Sequence, residues 1–437
     1  MKIVFVTPVM IFTFGLYFLF KLRFFFLLHP VSVGRRIAAS LKEKNNFKAF
    51  ALALAGTLGV GNIVGVAYGL TVGGAGSVFW MLLSALFSSV IKYCESALGG
   101  LCGRDGSCGM MGAISQAFKR HGKTLAMIYA FLLLLLSFSM GTALQGGAVV
   151  GAAKYVLGAP SAAVSLFFSL ILLVVIIGGV KKIEKFTAAV VPMATIVYIF
   201  ICAVILIKNS AALPSVLLNI WHSAFNFRSG AGGISAFLVS KAVKEGFARG
   251  LLSNEAGAGT SAMAEGRSTA RASDVGLFGM CEVFFDTVVL CTLTALAVLV
   301  SVPNISEFSS GMELVFYTVR AELSSFSGVV LFFLIFAFAL STAVCWYYYG
   351  SSAASYLFKR EIGIWFAVPF AFASFIGSLV IERYVIGFVD IVLLLLSIIT
   401  LITLLKSSER IFDLSEREGL VRPHILNKSD SRKKTNS

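Results

Sequence analysis

Residues 55–69, AGTLGVGNIVGVAYG, place several glycines and an amide inside an otherwise apolar segment. Gly56, Gly59 and Asn62 are poor helix formers that lie close together, so the helix can unwind there. Unwound backbone at membrane depth offers N–H groups that hold a carboxylate and C=O groups that ligate a cation. Glycine also removes the side chain, so that a small zwitterion can lie against the main chain. These residues therefore predict non-covalent binding of a small zwitterion and a cation.

The same glycines allow two other interpretations. The residues GVGNIVG give the spacing GxGxxxG, which differs from the dinucleotide fingerprint GxGxxG and has no βαβ context around it. A cofactor loop is therefore excluded. The later glycines recur every four residues, a stripe that lets neighbouring helices approach closely: Gly61, Gly65, Gly69 and Gly73. Helix packing explains this stripe, but it leaves the earlier glycines and Asn62 unexplained.

A second motif of similar composition occurs in residues 246–262, GFARGLLSNEAGAGTSA. Transporters built from an inverted repeat pair two broken helices, so this motif predicts a second break. The charged residues before it are costly inside a membrane and require a hydrated vestibule: Lys241, Lys244, Glu245 and Arg249. In the alternative interpretation the break lies in residues 224–237, AFNFRSGAGGISAF, and SNEAG belongs to a cytoplasmic helix.

Several ionisable residues lie within apolar segments. Asp286 and Asp390 are functional candidates for that reason, and Asp286 could supply the negative charge that a hard cation favours. Lys92 and Glu95 are three residues apart, which predicts an ion pair near the cytoplasmic end of their helix. Glu255 could ligate a cation or cap the unwound segment.

The composition indicates a polytopic membrane protein. Of 437 residues, 58% are hydrophobic and 13% are charged, against about a quarter charged in soluble domains. Eleven segments are predicted to cross the roughly 30 Å hydrocarbon layer, all as helices. They are residues 4–28, 50–72, 75–100, 124–152, 160–180, 186–208, a less hydrophobic one within 212–262, 276–300, 326–356, 363–381 and 384–405.

The basic residues predict the orientation of the chain. Most Lys and Arg fall in alternate connections, which by the positive-inside rule are cytoplasmic: those around residues 35–48, 104–123, 181–185, 267–271 and 359–360, and the tail. The C-terminus is then inside and, with eleven crossings, the N-terminus outside. The net charge of +15 thus reports topology, and a nucleic-acid partner is disfavoured. The first segment lacks a cleavage site and is expected to be retained, and residues 406–437 are expected to form a loosely ordered polar tail.

Neither the cysteines nor the histidines predict a site. The seven Cys have no CxxC or framework spacing, and the four His have no second ligand at metal spacing. No Ser/His/Asp set or phosphate loop occurs either, so we expect neither an enzyme nor a transition-metal or organic cofactor. A channel would require rings of like residues from symmetric subunits and is disfavoured. A sensor that binds its ligand without transporting it would differ from a transporter only in carrying no flux.

At the two glycine motifs the sequence resembles the alanine or glycine:cation symporter family, the bacterial sodium:alanine symporters. The matching blocks are LAGTLGVGNIVGVAYGLTVGGAGSVFWM (54–81), KYCE (92–95), ARGLLSNEAGAGTSA (248–262), VFFDTVVLCTLTAL (283–296) and STAVCWYYYG (341–350). The resemblance implies an all-α, leucine-transporter-type fold with a five-plus-five inverted repeat preceded by one extra helix. It also implies Na⁺-coupled uptake of small neutral amino acids such as alanine or glycine by alternating access, with H⁺ as the coupling ion in some members.

The resemblance also implies a domain division and two sets of site residues. Residues 4–28 would form the extra helix, 50–208 the first repeat, 230–405 the second repeat, and 1–405 a single domain in the bacterial cytoplasmic membrane, with no obligate protein partner evident. The implied substrate set is Gly59, Val60, Gly61, Gln145, Gly257, Thr342 and Trp346. The implied sodium set is Ala55, Leu58, Asn62, Asn254, Asp286, Ser341 and Thr342.

Spacing supports part of this assignment. Thr342 and Trp346 are four residues apart and share a helix face, so the Trp could close over a glycine floor and limit the substrate to a small side chain. The alternatives are an interfacial role for Trp346 and hydrogen bonds from Ser341 and Thr342 back to their own helix. The sequence departs from the family pattern at Val60, where Thr or Ser is usual, at Gly147, where Asn is usual, and at SCGM (107–110), where GGPM is usual.

Overall fold

A computed structural model describes residues 6–104, 109–225, 241–380 and 382–421, and helices are the regular elements of these residues. The helices of the first half are α1 (Val6–Lys21), α2 (Pro30–Ser40), α3 (Lys44–Thr57), α4 (Val64–Gly73), α5 (Ser77–Arg104), α6 (Gly109–Ala117), α7 (Gly122–Leu157), α8 (Ser161–Ile176), α9 (Gly179–Lys208) and α10 (Leu213–Phe225). Those of the second half are α11 (Lys241–Asn254), α12 (Thr260–Ala264), α13 (Ala272–Ser301), α14 (Gly311–Glu322), α15 (Ser325–Phe358), α16 (Ile364–Gly377), α17 (Glu382–Lys406) and α18 (Ser408–Arg417).

Fewer spans are long and apolar enough to cross a membrane than the eleven predicted. Among the described residues there are six such helices, or seven if the bent pair Lys44–Thr57 and Val60–Gly73 is one span. The apolar helices Val6–Lys21, Ser161–Ile176 and Trp365–Gly377 are shorter than the 20 or so residues that a perpendicular crossing needs. The count of eleven therefore stays a prediction.

The first predicted break is confirmed. Helix α3 ends at Thr57, and the chain resumes in a short 3₁₀ turn, Val60–Asn62, with a bend of 58° between the two halves. Gly59 between them is extended, with φ −119° and ψ −166°. A Cβ atom on Gly59 would lie 2.9 Å from Thr342 Oγ1, so the close approach of α15 requires glycine here.

The second predicted break is also confirmed. Helix α11 ends at Asn254 and α12 begins at Thr260. Between them Glu255, Gly257 and Gly259 have φ of 54°, 89° and 75°, a left-handed conformation that ends a helix and that glycine adopts without strain. The alternative break at 224–237 lies, from residue 226 onwards, outside the described residues.

Helix α5 packs closely against the segments that follow the second break. A Cβ on Gly99 would lie 2.6 Å from Ala262 Cα, and one on Gly103 would lie 2.2 Å from the Gly266 carbonyl oxygen. On the facing helix α13, a Cβ on Gly279 would lie 2.7 Å from the Lys92 carbonyl oxygen. Small residues on both sides therefore let backbone contact backbone along this interface.

Two expectations about the chain ends need correction. The segment expected to span 4–28 is helical only to Lys21 in its first helix, because Arg23 and Phe24 take positive φ and turn the chain before the short helix Phe25–Leu28. The tail expected to be loosely ordered contains α18, whose buried residues include Ile411 and Ser415. Ser415 shares a hydrogen bond of 2.7 Å with Tyr93, which anchors α18 against α5.

Candidate functional site

A cavity of about 760 Å³ lies beside the first break. It is lined by α3, the turn Val60–Asn62, α4, α7, α11, α14 and α15. Its lining also includes Lys154 and Tyr155, near the end of α7, and Ser310 and Glu313, at the start of α14. The cavity thus joins the first break to the end of the bundle where α7 terminates.

The floor of the cavity combines glycine with two polar side chains. Thr342 Oγ1 donates to the Leu58 carbonyl oxygen at 3.4 Å. Gln145 Nε2 donates to the Met140 carbonyl oxygen at 3.3 Å, while its Oε1 is buried without a hydrogen-bond partner in the described structure. This free acceptor lies 3.4 Å from the position of a Cβ on Gly59. The floor therefore offers an unused hydrogen-bond acceptor next to main chain that lines the cavity.

Gln145 reaches this position because its helix contains an irregular turn. Residues Ser139–Leu144 form a π-turn immediately before it. Such turns insert an extra residue into a helix and are frequent at functional sites. Main chain at Val60 and Gly61 lines the cavity opposite, and a Cβ on Gly61 would meet nothing within 4 Å.

Glu255, the first residue of the second break, lines the same cavity. Its carboxylate accepts hydrogen bonds from Thr260 Oγ1 at 2.9 Å and from Trp346 Nε1 at 3.2 Å. Trp346 is fully buried, packs against Gly141 of α7, and lies behind Glu255 rather than among the residues that line the cavity. Glu255 thus connects the segment after α11 to α12 and α15 and also contributes to the cavity wall.

Asp286 connects the two breaks. It lies, fully buried, in a π-turn of α13, Phe284–Cys291. Its carboxylate accepts hydrogen bonds from Asn62 Nδ2 at 2.6 Å, from Ser253 Oγ at 2.8 and 2.9 Å, and from Thr287 Oγ1 at 2.7 Å. Asn62 belongs to the first break and Ser253 to the helix end at the second, so one carboxylate holds both together. We call Asp286 and these three donors the Asp286 node.

The other predicted cation ligands are distributed around this node and the cavity floor. Asn254 Nδ2 donates to Thr287 Oγ1 at 3.3 Å, and Leu58 shares the hydrogen bond with Thr342. Ala55 is fully buried on α3, one turn before the break. Ser341 Oγ donates to the Phe338 carbonyl oxygen at 3.0 Å, which is the back-bonding considered as its alternative.

Gly257 and the predicted Lys92–Glu95 pair lie on the other side of the second break. The Gly257 N–H donates to Glu95 Oε1 at 2.7 Å, so this N–H is directed at α5. The predicted pair was wrong, since Lys92 Nζ lies 3.3 Å from Glu282 Oε2 instead. The expectation overlooked Glu282 because α13 packs on α5 only in the folded protein.

Of the charges before the second break, Arg249 lies at the cavity, and the hydrated vestibule stays a prediction. Arg249 lines the cavity, lies 4.9 Å from the Tyr68 ring centroid, and pairs with Glu245 at 3.2 Å. Asp390 is only partly buried on α17 and lies near Arg249 and Glu245, outside the Asp286 node.

Four residues of these networks were not predicted as site residues from sequence: Ser253, Thr287, Glu265 and Glu282. For the last two, a carboxylate within a membrane segment was the signal available in the sequence.

Comparison with known proteins identifies relatives of this chain. Residues 2–417 match the model of the sodium:alanine symporter family. An uncharacterized transporter of Haemophilus influenzae is 32% identical over 419 residues, covering 92% of this chain and 85% of that protein. The sodium/alanine symporter AgcS of Methanococcus maripaludis is 31% identical over 351 residues, covering 76% of this chain and 75% of AgcS.

A solved structure supports the fold. MhsT in complex with L-phenylalanine matches with a TM-score of 0.56 and 16% identity, covering 84% of this chain and 88% of MhsT. The chain therefore has a helical transporter fold similar to that of MhsT. Its apolar helices and its relatives make it a multi-pass membrane transporter rather than an enzyme. On the family match and these relatives, the chain belongs to the sodium:alanine symporter family.

Proposed function

We propose that this protein is a sodium-coupled symporter that imports a small neutral amino acid, such as alanine or glycine, by alternating access. The observation that carries the proposal is the pair of helix breaks joined by Asp286 beside a cavity with a free acceptor at Gln145. Each break leaves main-chain groups outside helical hydrogen bonding. A zwitterion and a cation together satisfy such groups.

The substrate is proposed to bind on the cavity floor. Main chain at Gly59, Val60 and Gly61 would hold the carboxylate, because this segment lines the cavity and carries little side-chain bulk. Gln145 Oε1 would accept a hydrogen bond from the ammonium group, and Thr342 would contact the side chain. Trp346 acts through Glu255 in this proposal, and Gly257 supports the wall through its bond to Glu95.

Sodium is proposed to bind at oxygen ligands adjoining the same floor. Leu58 and Thr342 already share a hydrogen bond, which a cation between their oxygens would replace, with Ala55 and Ser341 nearby on the same two helices. The Asp286 node and the neighbouring Asn254 would supply a carboxylate charge for the cation within the protein interior. Hard cations favour carboxylate, carbonyl and amide oxygens of this kind.

The side to which the cavity opens follows from the proposed orientation. With the N-terminus outside and the C-terminus in the cytoplasm, the end of α7 and the start of α14 face outward, so the cavity faces the outside of the bacterial cytoplasmic membrane. Sodium binding first would order the first break and complete the floor for the amino acid. One charge driven by 100 mV supplies about 2.3 kcal/mol, or roughly 50-fold accumulation.

The deciding experiment is uptake of labelled alanine and glycine into proteoliposomes that contain the purified full chain. Uptake is measured under an inward Na⁺ gradient, under an inward K⁺ gradient, and in liposomes without protein. We expect accumulation under Na⁺ and only equilibration under K⁺. Equal uptake under both gradients would end the sodium assignment, and uptake equal to that of empty liposomes would end the transport assignment for these substrates.

A further inference from the structure

A group of buried ionisable residues lies on the side of the second break that is turned away from the cavity. It consists of Lys92 and Glu95 on α5, Glu265 after α12, and Glu282 on α13, and each is at most 1% exposed. We call these four residues the carboxylate cluster. None of them lines the cavity.

The cluster has too few hydrogen-bond donors to satisfy all of its carboxylate oxygens. Lys92 Nζ donates to Ser261 Oγ at 2.5 Å and to Glu282 Oε2 at 3.3 Å, and Ser261 Oγ donates to that same Oε2 at 2.6 Å. Glu95 accepts at Oε1 from the Gly257 N–H, and the Gly259 N–H also faces its carboxylate. Glu95 Oε2, Glu282 Oε1 and both oxygens of Glu265 make no hydrogen bond of normal geometry among the described residues, and the group that adjoins Glu265 on α5 is the neutral hydroxyl of Ser96.

The charges do not balance if every group is ionised. One ammonium compensates one carboxylate, and the geometry assigns that role to Lys92 with Glu282. Two further carboxylates would then be buried as uncompensated anions, each at a cost of several kcal/mol. Glu255 adds no compensation, since it is also acidic and its bonds are to Thr260 and Trp346.

The remaining titratable neighbours do not neutralise the cluster. Tyr129 of α7 faces Glu95 and donates its hydrogen bond to the Ala258 carbonyl oxygen, so it does not neutralise the cluster. Cys94 adjoins Glu95, and Cys281 lies close to Glu265 and Glu282. Arg267 follows Glu265 but pairs with Glu184 at 3.0 Å. No cation besides Lys92 is therefore placed against these carboxylates in the part of the chain described.

The tight packing limits what can bind there. Gly99, Gly103 and Gly279 bring α5 into backbone contact with the segments around the cluster. No group of three or more His, Cys, Asp or Glu suited to a metal ion occurs within the described ranges. A proton is small enough to enter such a site and neutralises a carboxylate directly.

We propose that the carboxylate cluster is a proton-binding site, with Glu265 as its main acceptor and Glu95 as the second. Protonated, the cluster carries no uncompensated charge and holds α5 against the segment after the second break, as seen here. Loss of the proton from Glu265 creates a buried anion that pushes these elements apart. The cluster lies on the side of the protein opposite the cavity. Because the protonated cluster holds the helices together there, the proton favours the conformation in which that side is closed. This consequence for the cycle rests on the proposed transport function.

The first test detects the protons without using transport. Infrared spectra of the full chain in lipid nanodiscs are recorded between acidic and alkaline pH, and the carbonyl band of protonated carboxylic acids is followed. We expect Glu265→Gln to remove part of this band and Glu95→Gln to remove another part. Glu361→Gln, at an exposed residue, is the matched control and should leave the buried component unchanged. An unchanged band in both cluster variants would overturn the proposal.

The second test asks what the proton does. Exchange of labelled for unlabelled alanine across proteoliposome membranes is measured as a function of internal pH. We expect wild-type exchange to rise with internal pH, because deprotonation opens the side opposite the cavity, and we expect Glu265→Gln to be slow at every pH. A Glu265→Gln variant that keeps the wild-type pH profile would remove Glu265 from this role. If wild-type protein exchanges no alanine at any pH, the proposed transport function fails, while the infrared test still decides proton binding.

Discussion

The two helix breaks use the same backbone device in different surroundings. At the first break the chain crosses through extended Gly59, the position beside Gly61 is open, and the cavity lies directly against the main chain. At the second break three residues take positive φ, and the main chain is held by Glu95, Asn254 and Tyr129. The first break is bonded to its neighbours at Leu58 and Asn62 and leaves room for a ligand between them, whereas the second is bonded along its whole length.

Because of this difference, we expect the two segments to have different roles. In the proposed transport cycle the open segment takes up the ligand's charges, and the bonded one transmits movement to the helices that hold it. Asp286 connects the two, because it accepts hydrogen bonds from Asn62 on one side and Ser253 on the other. Substitutions at the node, at the open break and at the bonded break should therefore impair transport in different ways.

The largest effect is expected at the node. Asp286→Asn removes a charge and replaces one acceptor by an NH₂ group that faces the donors of Asn62, Ser253 and Thr287. With two charge-assisted hydrogen bonds lost, at about 1.5 kcal/mol each, sodium-driven alanine uptake should fall about 100-fold. The measurement is the initial uptake rate in proteoliposomes over a range of Na⁺ concentrations.

Asp390→Asn is the matched control, since Asp390 is another acidic residue within an apolar helix but lies outside the node. It should leave sodium dependence nearly unchanged. If both variants behaved alike, or if Asp286→Asn retained the wild-type sodium response, the node would have only a packing role.

The next effect contrasts two glycines that line the cavity. A Cβ at Gly59 would lie 2.9 Å from Thr342 Oγ1, whereas one at Gly65, on α4 outside the proposed substrate floor, meets nothing within 4 Å. Overpacking of about 2 kcal/mol should cut alanine uptake roughly 30-fold in Gly59→Ala. Gly65→Ala should stay within about 3-fold of wild type, because the added methyl contacts no neighbour and lies outside the floor. Equal losses would show that the glycines serve helix flexibility rather than room for the substrate.

The breaks were predictable from sequence because their signals are local. Gly56, Gly59 and Asn62 weaken a helix wherever it lies, and so do Gly257 and Gly259. The node was only half predictable: Asp286 is conspicuous in an apolar helix, but its donor Ser253 becomes a partner only when α11 packs beside α13.

The carboxylate cluster shows the limit of local pattern. Lys92 and Glu95 have ideal spacing for an ion pair, yet Lys92 bonds Glu282 and Ser261 because α13 and α12 pack on the same face of α5. Helix α18 was missed for a similar reason, since its polar composition conceals a buried side that contacts the bundle.

A smaller effect is expected at Gln145. Gln145→Leu removes the buried Oε1 that lacks a partner and should raise the KM for alanine about 10-fold, the cost of one hydrogen bond to a charged group. Gln145→Glu keeps an acceptor at that position and should bind alanine at least as well as Gln145→Leu does. A KM unchanged in Gln145→Leu would mean that the ammonium group binds elsewhere.

The smallest effect is expected at Trp346, which contacts the cavity only through its hydrogen bond to Glu255. Trp346→Phe keeps most of the buried ring but removes the Nε1 donor to Glu255, which then relies on Thr260 alone. A loss of about 1 kcal/mol should lower alanine transport about 5-fold. Preference for alanine over larger amino acids should persist, because the ring still fills the space behind Glu255. A variant that began to carry larger substrates would instead place the Trp346 ring directly against the substrate, as the lid interpretation of its spacing with Thr342 requires.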